Sequence, residues 1–378
     1  MATAQDVVVL GVGGMGSAVA YHLASRGLKV VALERHTLGH DRGSSHGLSR
    51  IIRLAYFEDP SYVPLLRRAF TLWRDLETES GERLLHVTGA MDAGLPGSRV
   101  FEGSVQSCLA HGLRHEVLTA EEVNWRFPGY HLPPGYKAVF QPDGGFLEPE
   151  KCIRSYAAAA SNHGANVRTG VQVQSWSRMT DGVVVRLADE EIRARQLVIC
   201  AGAWTPALAP SLAPLLRPER QVVAWFAVED DAAFAAGRFP VFVLNTPEAY
   251  FYGFPQHGVP GFKIGKYHHR AEVVDPDAMN RVVDADDEAV LRECVRSFFP
   301  AADGPMVRAS TCIFTNTPDE HFIIDRLPGT PEVLVVSACS GHGFKFCSVI
   351  GEIVADLVTR GQTPHDISLF RLDRFGRL

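Results

Sequence analysis

The stretch Asp6–Glu34, DVVVLGVGGMGSAVAYHLASRGLKVVALE, decides the fold class of this 378-residue chain. Asp6 to Leu10 is short, β-branched and apolar and ends at a glycine, which predicts a buried strand. Gly11-Val12-Gly13-Gly14-Met15-Gly16 follows as GxGxxG. Ser17 to Ser25 then carries apolar residues at helical spacing (Val19, Leu23), and Gly27 supplies the stop. Leu28 to Leu33 reads as a second strand closing on Glu34. Gly11 permits a tight turn, Gly13 lets the backbone approach a pyrophosphate, and Gly16 lets helix and strand pack closely. The helix N-terminus offers N–H groups and a positive dipole end to phosphates, with Gly14 and Met15 among the expected cofactor contacts. Glu34 can accept hydrogen bonds from a ribose diol and would repel a 2′-phosphate. Strand, glycines, helix, strand and acid in that order predict a dinucleotide-binding unit, with NAD and FAD equally allowed.

Beyond this unit, the length favours two or three domains. A chain that is 46 % hydrophobic and 21 % charged is neither wholly disordered nor a coiled coil. Thirty-seven Lys+Arg against 43 Asp+Glu leave a net charge of −6, with no basic cluster, which excludes an electrostatic nucleic-acid footprint. No apolar run reaches the length of a membrane span. Val7–Leu10 follows an acidic residue and lacks the basic flank of a secretory leader. Seven cysteines, none spaced CxxC, suggest neither a disulfide framework nor a zinc site, so no metal is expected and a reducing cytoplasm fits.

Two further regions carry chemistry. In Gly43-Ser44-Ser45-His46-Gly47-Leu48-Ser49-Arg50-Ile51-Ile52-Arg53, small residues permit close approach and two arginines suit anionic groups. Near the C-terminus stand Cys312-Ile313-Phe314-Thr315, Asp319-Glu320-His321-Phe322-Ile323-Ile324-Asp325 and Ser340-Gly341-His342-Gly343-Phe344-Lys345-Phe346. Gly341-His342-Gly343 precedes the helical spacing of Ser348 to Arg360, so helix-end N–H groups can face an anion. Gln196 to Cys200 reads as a strand running into the small-residue turn Ala201-Gly202-Ala203-Trp204. Arg220 to Val228 and Ala249 to Lys266 alternate like sheet strands, and Leu65, Ala69, Leu72 and Leu76 mark another helix.

Taken together, these segments resemble the monomeric sarcosine oxidase and N-methyltryptophan oxidase family of covalent flavoproteins over nearly the whole chain, less so between residues 80 and 140. The resemblance implies an α/β protein with a Rossmann-type FAD-binding domain (1–85, 147–215, 325–378). A second, α+β substrate domain on a mixed or antiparallel sheet would take 86–146 and 216–324. Cys312 matches the cysteine that forms a thioether to the flavin, although a buried strand cysteine is also often inert. Arg53 and Lys345 match the pair that holds the substrate carboxylate. Arg50 matches an arginine against the flavin, and His46 a histidine near the attachment region. Lys263 matches the lysine at which oxygen reacts, against the alternative of a strand-edge lysine. Tyr252 matches a pocket tyrosine, and Tyr56 with Glu58 a mobile entrance segment in which Glu58 pairs with Arg53. Arg35, Gly43, Ser44, Val171, Ala201, Gly202, Trp204, Gly341, His342, Gly343 and Phe344 complete the implied FAD set; His342 is as readily a packed loop histidine.

Departures from the family concern the substrate. Phe314 stands where sarcosine oxidases have tyrosine, Val243 where they have methionine, Tyr267 (or His268) where they have histidine, and Ser45 replaces another histidine. The expected pocket is therefore not tuned to sarcosine. The resemblance implies a monomer that oxidises secondary, N-alkylated amino acids to imines and reduces O2 to hydrogen peroxide. Clustered cations would lower the substrate amine's pKa so that it binds neutral. A flavin dehydrogenase of a related amine or cyclic imino acid, or a non-catalytic flavin-binding protein, are the competing readings.

Overall fold

A computed structural model describes residues 5–376. The opening unit forms strand β1 (Gln5–Leu10), helix α1 (Gly14–Ala24) and strand β2 (Val30–Glu34). β1 lies between two parallel neighbours, β2 and Glu191–Ile199, and β2 pairs in parallel with Asn166–Thr169. Strands covered on both faces read as unbroken apolar runs rather than alternations, which is why Val7–Leu10 and Val30–Leu33 are buried throughout. Thr330–Ser337 adds a further parallel strand beside Leu197–Ile199, and Ser175–Met179, Gly182–Arg186 and Ile323–Leu327 join antiparallel. The result is a mixed eight-stranded sheet with a parallel core.

The helices Pro149–Asn162 and Cys347–Arg360 pack on α1. Close approach is built into α1, whose interior is Ala18, Ala20 and Ala24. A Cβ on Gly351 of the last helix would fall 2.8 Å from the Ala18 backbone. The long amphipathic helix Tyr62–Ser80 packs against the last helix with Leu65, Leu66, Ala69 and Trp73 inward.

The second eight-stranded sheet runs in the order Met306–Asn316, Arg217–Phe226, Phe262–Lys266, Tyr250–Phe254, Val241–Asn245, Ala90–Gly94, Lys137–Gln141, Glu116–Thr119. Every neighbour is antiparallel except Val241–Asn245 with Ala90–Gly94. Its core is aromatic, with Phe234, Phe239, Phe242, Phe262 and Phe299 in mutual contact. A small sheet of Arg50–Ile52, Gly145–Leu147 and Leu85–Val87 is the third. Among the described residues no helix is long and apolar enough to cross a membrane.

Candidate cofactor and substrate site

Two cavities meet between the sheets. The larger, about 280 Å³, opens where β1 passes into α1 and extends past Glu34 to the Gly43–Ser45 loop. Gly11 holds φ +87°, and a Cβ there would lie 2.6 Å from the Cys200 carbonyl. A Cβ on Gly16 would come within 1.8 Å of the Gly11 carbonyl, so Gly16 works by packing and does not line the cavity. Gly13 has open space at its Cβ position, and α1 has no side-chain cap. Its first-turn backbone at Gly14 and Met15 therefore faces the cavity.

Glu34 forms the far wall and accepts from the N–H groups of Val12 (2.8 Å) and His36 (2.9 Å). Burial works against its charge, but bonds from His40, His36 and Val12 hold its pKa below the ordinary carboxylate value. Arg35, Gly43, Ser44, Ser45, Arg50, Val171, Ala201, Gly202, Trp204, Gly341, Gly343 and Phe344 complete the wall with the glycines named above. Glycine backbone at a helix N-terminus, a buried carboxylate opposite and an elongated space suit a dinucleotide without a 2′-phosphate.

The smaller cavity, about 90 Å³, shares Arg50, Phe314, Gly341 and Phe344 with the first and is the place for a small organic molecule. Arg53, Val243, Tyr252, Tyr267, Cys312, His342 and Lys345 line it, as does Glu58. Phe57, Arg99, Tyr250 and Glu320 line it too, and none of these four stood out as site residues in the sequence. Cys312, His342 and Lys345 thus sit on the small cavity and not on the dinucleotide cavity.

Charge here is more balanced than a cationic cluster. Arg53 is buried and pairs with Glu58 (3.0 Å) and Asp92 (3.4 Å), packing on the rings of Tyr56 and Phe57 at 4.7 Å. Lys345 donates to the His342 carbonyl at 2.8 Å, and burial beside Arg53 pushes its pKa down to about 7 despite Glu58 and Asp92. Asp92, accepting from Ser104 at 2.6 Å, is pushed up to about 6 by burial. The clustered cations expected beside the substrate amine have carboxylates among them: Glu58 and Asp92 pair with Arg53, and Glu320 with Arg99.

Tyr56, expected in an entrance segment that meets the substrate, is buried behind Arg53 and does not line the cavity. Its hydroxyl lies 2.6 Å from His342 Nδ1, while His342 Nε2 is 3.0 Å from the Glu320 carbonyl. A carbonyl only accepts, so Nε2 carries the proton and Nδ1 accepts from Tyr56. Burial keeps this imidazole neutral, its pKa pushed down to about 4. His342 is a packed, fully bonded residue that also presents an edge to the cavity.

Lys263 and His46 lie on neither cavity wall. Lys263 Nζ donates to the Gly47 carbonyl (2.6 Å) and to the Ser49 carbonyl and hydroxyl, over Phe254 and Trp225. Burial and then Arg50 push its pKa well down. His46 is buried, its Nε2 has no hydrogen-bond partner among the described residues, and burial pushes its pKa down to about 3. Cys312 is buried in its strand opposite Gln221. Burial raises its thiol pKa, and Arg50 and Lys263 only partly oppose this.

Fold and site together define a dinucleotide-dependent oxidoreductase. Residues 6–357 match the family described as FAD dependent oxidoreductase, and this chain belongs to that family. It is similar to the monomeric sarcosine oxidase of Bacillus sp. (strain NS-129), 39 % identical with 99 % of this chain and 98 % of that one covered. The N-methyl-L-tryptophan oxidase of Citrobacter koseri is 35 % identical with 98 % and 99 % covered. Among solved structures, NikD, an unusual amino acid oxidase essential for nikkomycin biosynthesis, matches with a TM-score of 0.82 at 28 % identity, covering 97 % of each chain.

Proposed function

We propose that this protein is an FAD-dependent oxidase of secondary, N-alkylated amino acids larger than sarcosine. The observation that carries the reading is the seam between the cavities. The carboxylate-binding types Arg53 and Lys345 stand on a small chamber whose wall, through Arg50, Phe314, Gly341 and Phe344, is also the wall of the dinucleotide cavity. When bound, FAD supplies a two-electron acceptor for a hydride equivalent from the carbon next to nitrogen, the electrons passing on to dioxygen to give hydrogen peroxide.

The chain's own residues bind and orient. A substrate carboxylate is drawn by Arg53's fork and Lys345's ammonium, displacing Glu58 from part of its pairing. Phe314, Tyr267, Tyr250 and Val243 exclude water around the rest of the molecule. The imine leaves to be hydrolysed by water. Arg50, whose guanidinium donates to the Ser44 carbonyl at 2.6 Å, is a positive charge on the seam and would stabilise negative charge gained by a bound flavin on reduction. Lys263 we assign to dioxygen: it is a buried amine beside Arg50, fastened to the Gly47–Ser49 backbone.

The reading extends to covalent attachment through Cys312, whose position on the small chamber beside Arg50 supports it. It extends to a monomer and to the cytoplasm, where seven unpaired cysteines are at home. It keeps the domain division at 1–85, 147–215 and 325–378 against 86–146 and 216–324, which follows the membership of the two large sheets to within a few residues. A peroxide assay across N-methyl amino acids, cyclic imino acids and bulkier N-substituted amines tests it. Turnover of N-methylated aromatic or branched amino acids above sarcosine is expected; peroxide with none of them refutes the reading.

A further inference from the structure

Away from both cavity walls, three residues distant in sequence bring their ligand atoms together. His86 lies in the strand Leu85–Val87, Glu148 immediately precedes the helix Pro149–Asn162, and His257 lies in the turn between Tyr250–Phe254 and Phe262–Lys266. His86 Nε2 is 2.6 Å and His257 Nε2 3.3 Å from the same oxygen, Glu148 Oε1, and all the ligand atoms lie within 4.8 Å of one another. We propose that His86, Glu148 and His257 form a site for a zinc-type divalent cation, fastening the turn before the Lys263 strand to the start of that helix.

Several features favour this over a plain hydrogen-bonded cluster. Four ligands at tetrahedral zinc distances stand about 3.3 Å apart, so the two imidazoles and the carboxylate oxygen need only small rotations to embrace an ion. Both rings are held from below: His86 stacks on Phe146 at 4.8 Å and 9°, and His257 meets the same ring at 4.8 Å. Burial keeps His257's pKa below the usual histidine value, and Glu148, despite its own burial, is held below the usual carboxylate value by Lys151 and His86. An ion would take the place of the protons that the two Nε2 atoms now direct at this carboxylate. The side chains are 15–25 % exposed, which leaves room for a water as fourth ligand and a route of entry. Among the described residues Lys151 is the one Lys or Arg paired with this carboxylate, but it binds the other oxygen, Oε2, at 3.1 Å, and Glu82 at 3.8 Å can retain it. Two imidazoles with one carboxylate select zinc-like ions over magnesium or calcium, which prefer all-oxygen shells.

The site is independent of the proposed oxidation chemistry, because no residue in it touches either cavity. Its test is equilibrium dialysis of tag-free, chelator-treated holoenzyme against Zn²⁺, with elemental analysis, beside His86→Gln and His257→Gln. One equivalent bound by the parent at micromolar Zn²⁺, weakened at least tenfold in each variant, is the expected result, with Mg²⁺ giving none. Melting in metal-free buffer shows that the variants fold. Zn²⁺ is expected to raise the parent's midpoint and leave the variants' where they were. Binding that is absent from the parent, or unchanged in folded variants, overturns the proposal.

Discussion

Replacing Lys345 with methionine separates what this residue does for folding from what it does for the substrate. Burial and the neighbouring Arg53 push its ammonium from the usual 10.5 down to about 7. A lysine whose pKa is lower folded than unfolded binds fewer protons in the folded state across that interval. Its penalty is therefore complete below about pH 7 and fades as pH rises towards 10.5. At 1.36 kcal/mol per unit the interval corresponds to on the order of 3–5 kcal/mol. Methionine keeps an unbranched apolar stem and loses the bond to the His342 carbonyl, which subtracts about 1 kcal/mol. The variant is thus expected to be the more stable protein at neutral pH, by roughly 2–4 kcal/mol, and to lose that advantage in alkali. Catalysis moves the other way. A charge-assisted bond from ammonium to carboxylate is worth about 1.5–3 kcal/mol, or roughly 10- to 150-fold in kcat/KM, appearing mainly in KM. The parent's kcat/KM loses this contribution as pH climbs past about 7, and the variant lacks that limb, so its optimum moves upward. Thermal melts and peroxide-coupled kinetics across pH measure both. A variant destabilised equally at every pH, or one with parental KM and pH profile, refutes the reasoning.

Gly16→Ala would place a methyl 1.8 Å from the Gly11 carbonyl, forcing α1 away from β1. Purified protein should carry little flavin and melt lower, measured by the flavin-to-protein absorbance ratio; parental flavin content contradicts this. Glu58→Gln removes the carboxylate 3.0 Å from Arg53 and leaves Asp92 at 3.4 Å. KM for amino-acid substrates is expected to fall severalfold, because the substrate no longer competes with Glu58, while stability drops by about 2 kcal/mol. Steady-state kinetics with an unchanged or raised KM would sink the displacement idea. Cys312→Ser should yield a protein whose flavin washes out on acid precipitation, whereas the parent's pellet stays yellow; yellow pellets from both rule out attachment at this sulfur.

The first βαβ unit was legible because its glycines are required by backbone contacts that no side chain survives, at Gly11 and Gly16 alike. The wall of the larger cavity was legible for the same reason: small residues mark where a ligand approaches the main chain. The small cavity was only half readable. Arg53, Lys345 and Cys312 came from motifs, but the charged residues that stand around them, Glu58 aside, did not. Asp92 sits mid-strand in an apolar run, and Arg99 opens a helix with nothing local to mark it. Tyr56 was placed one layer too close to the chamber, since spacing gives neighbourhood and not depth. The His86, Glu148 and His257 trio had no signal at all, because its members come from three segments joined only by the tertiary fold.

The most direct test of the central claim is an anaerobic titration of the purified yellow holoprotein with an N-methyl amino acid, followed by air. Loss of the oxidised flavin spectrum on mixing, and its return with one equivalent of peroxide on aeration, is the result expected. A spectrum unmoved by every N-substituted amino acid, or a reduced flavin that stays reduced in air, would contradict it.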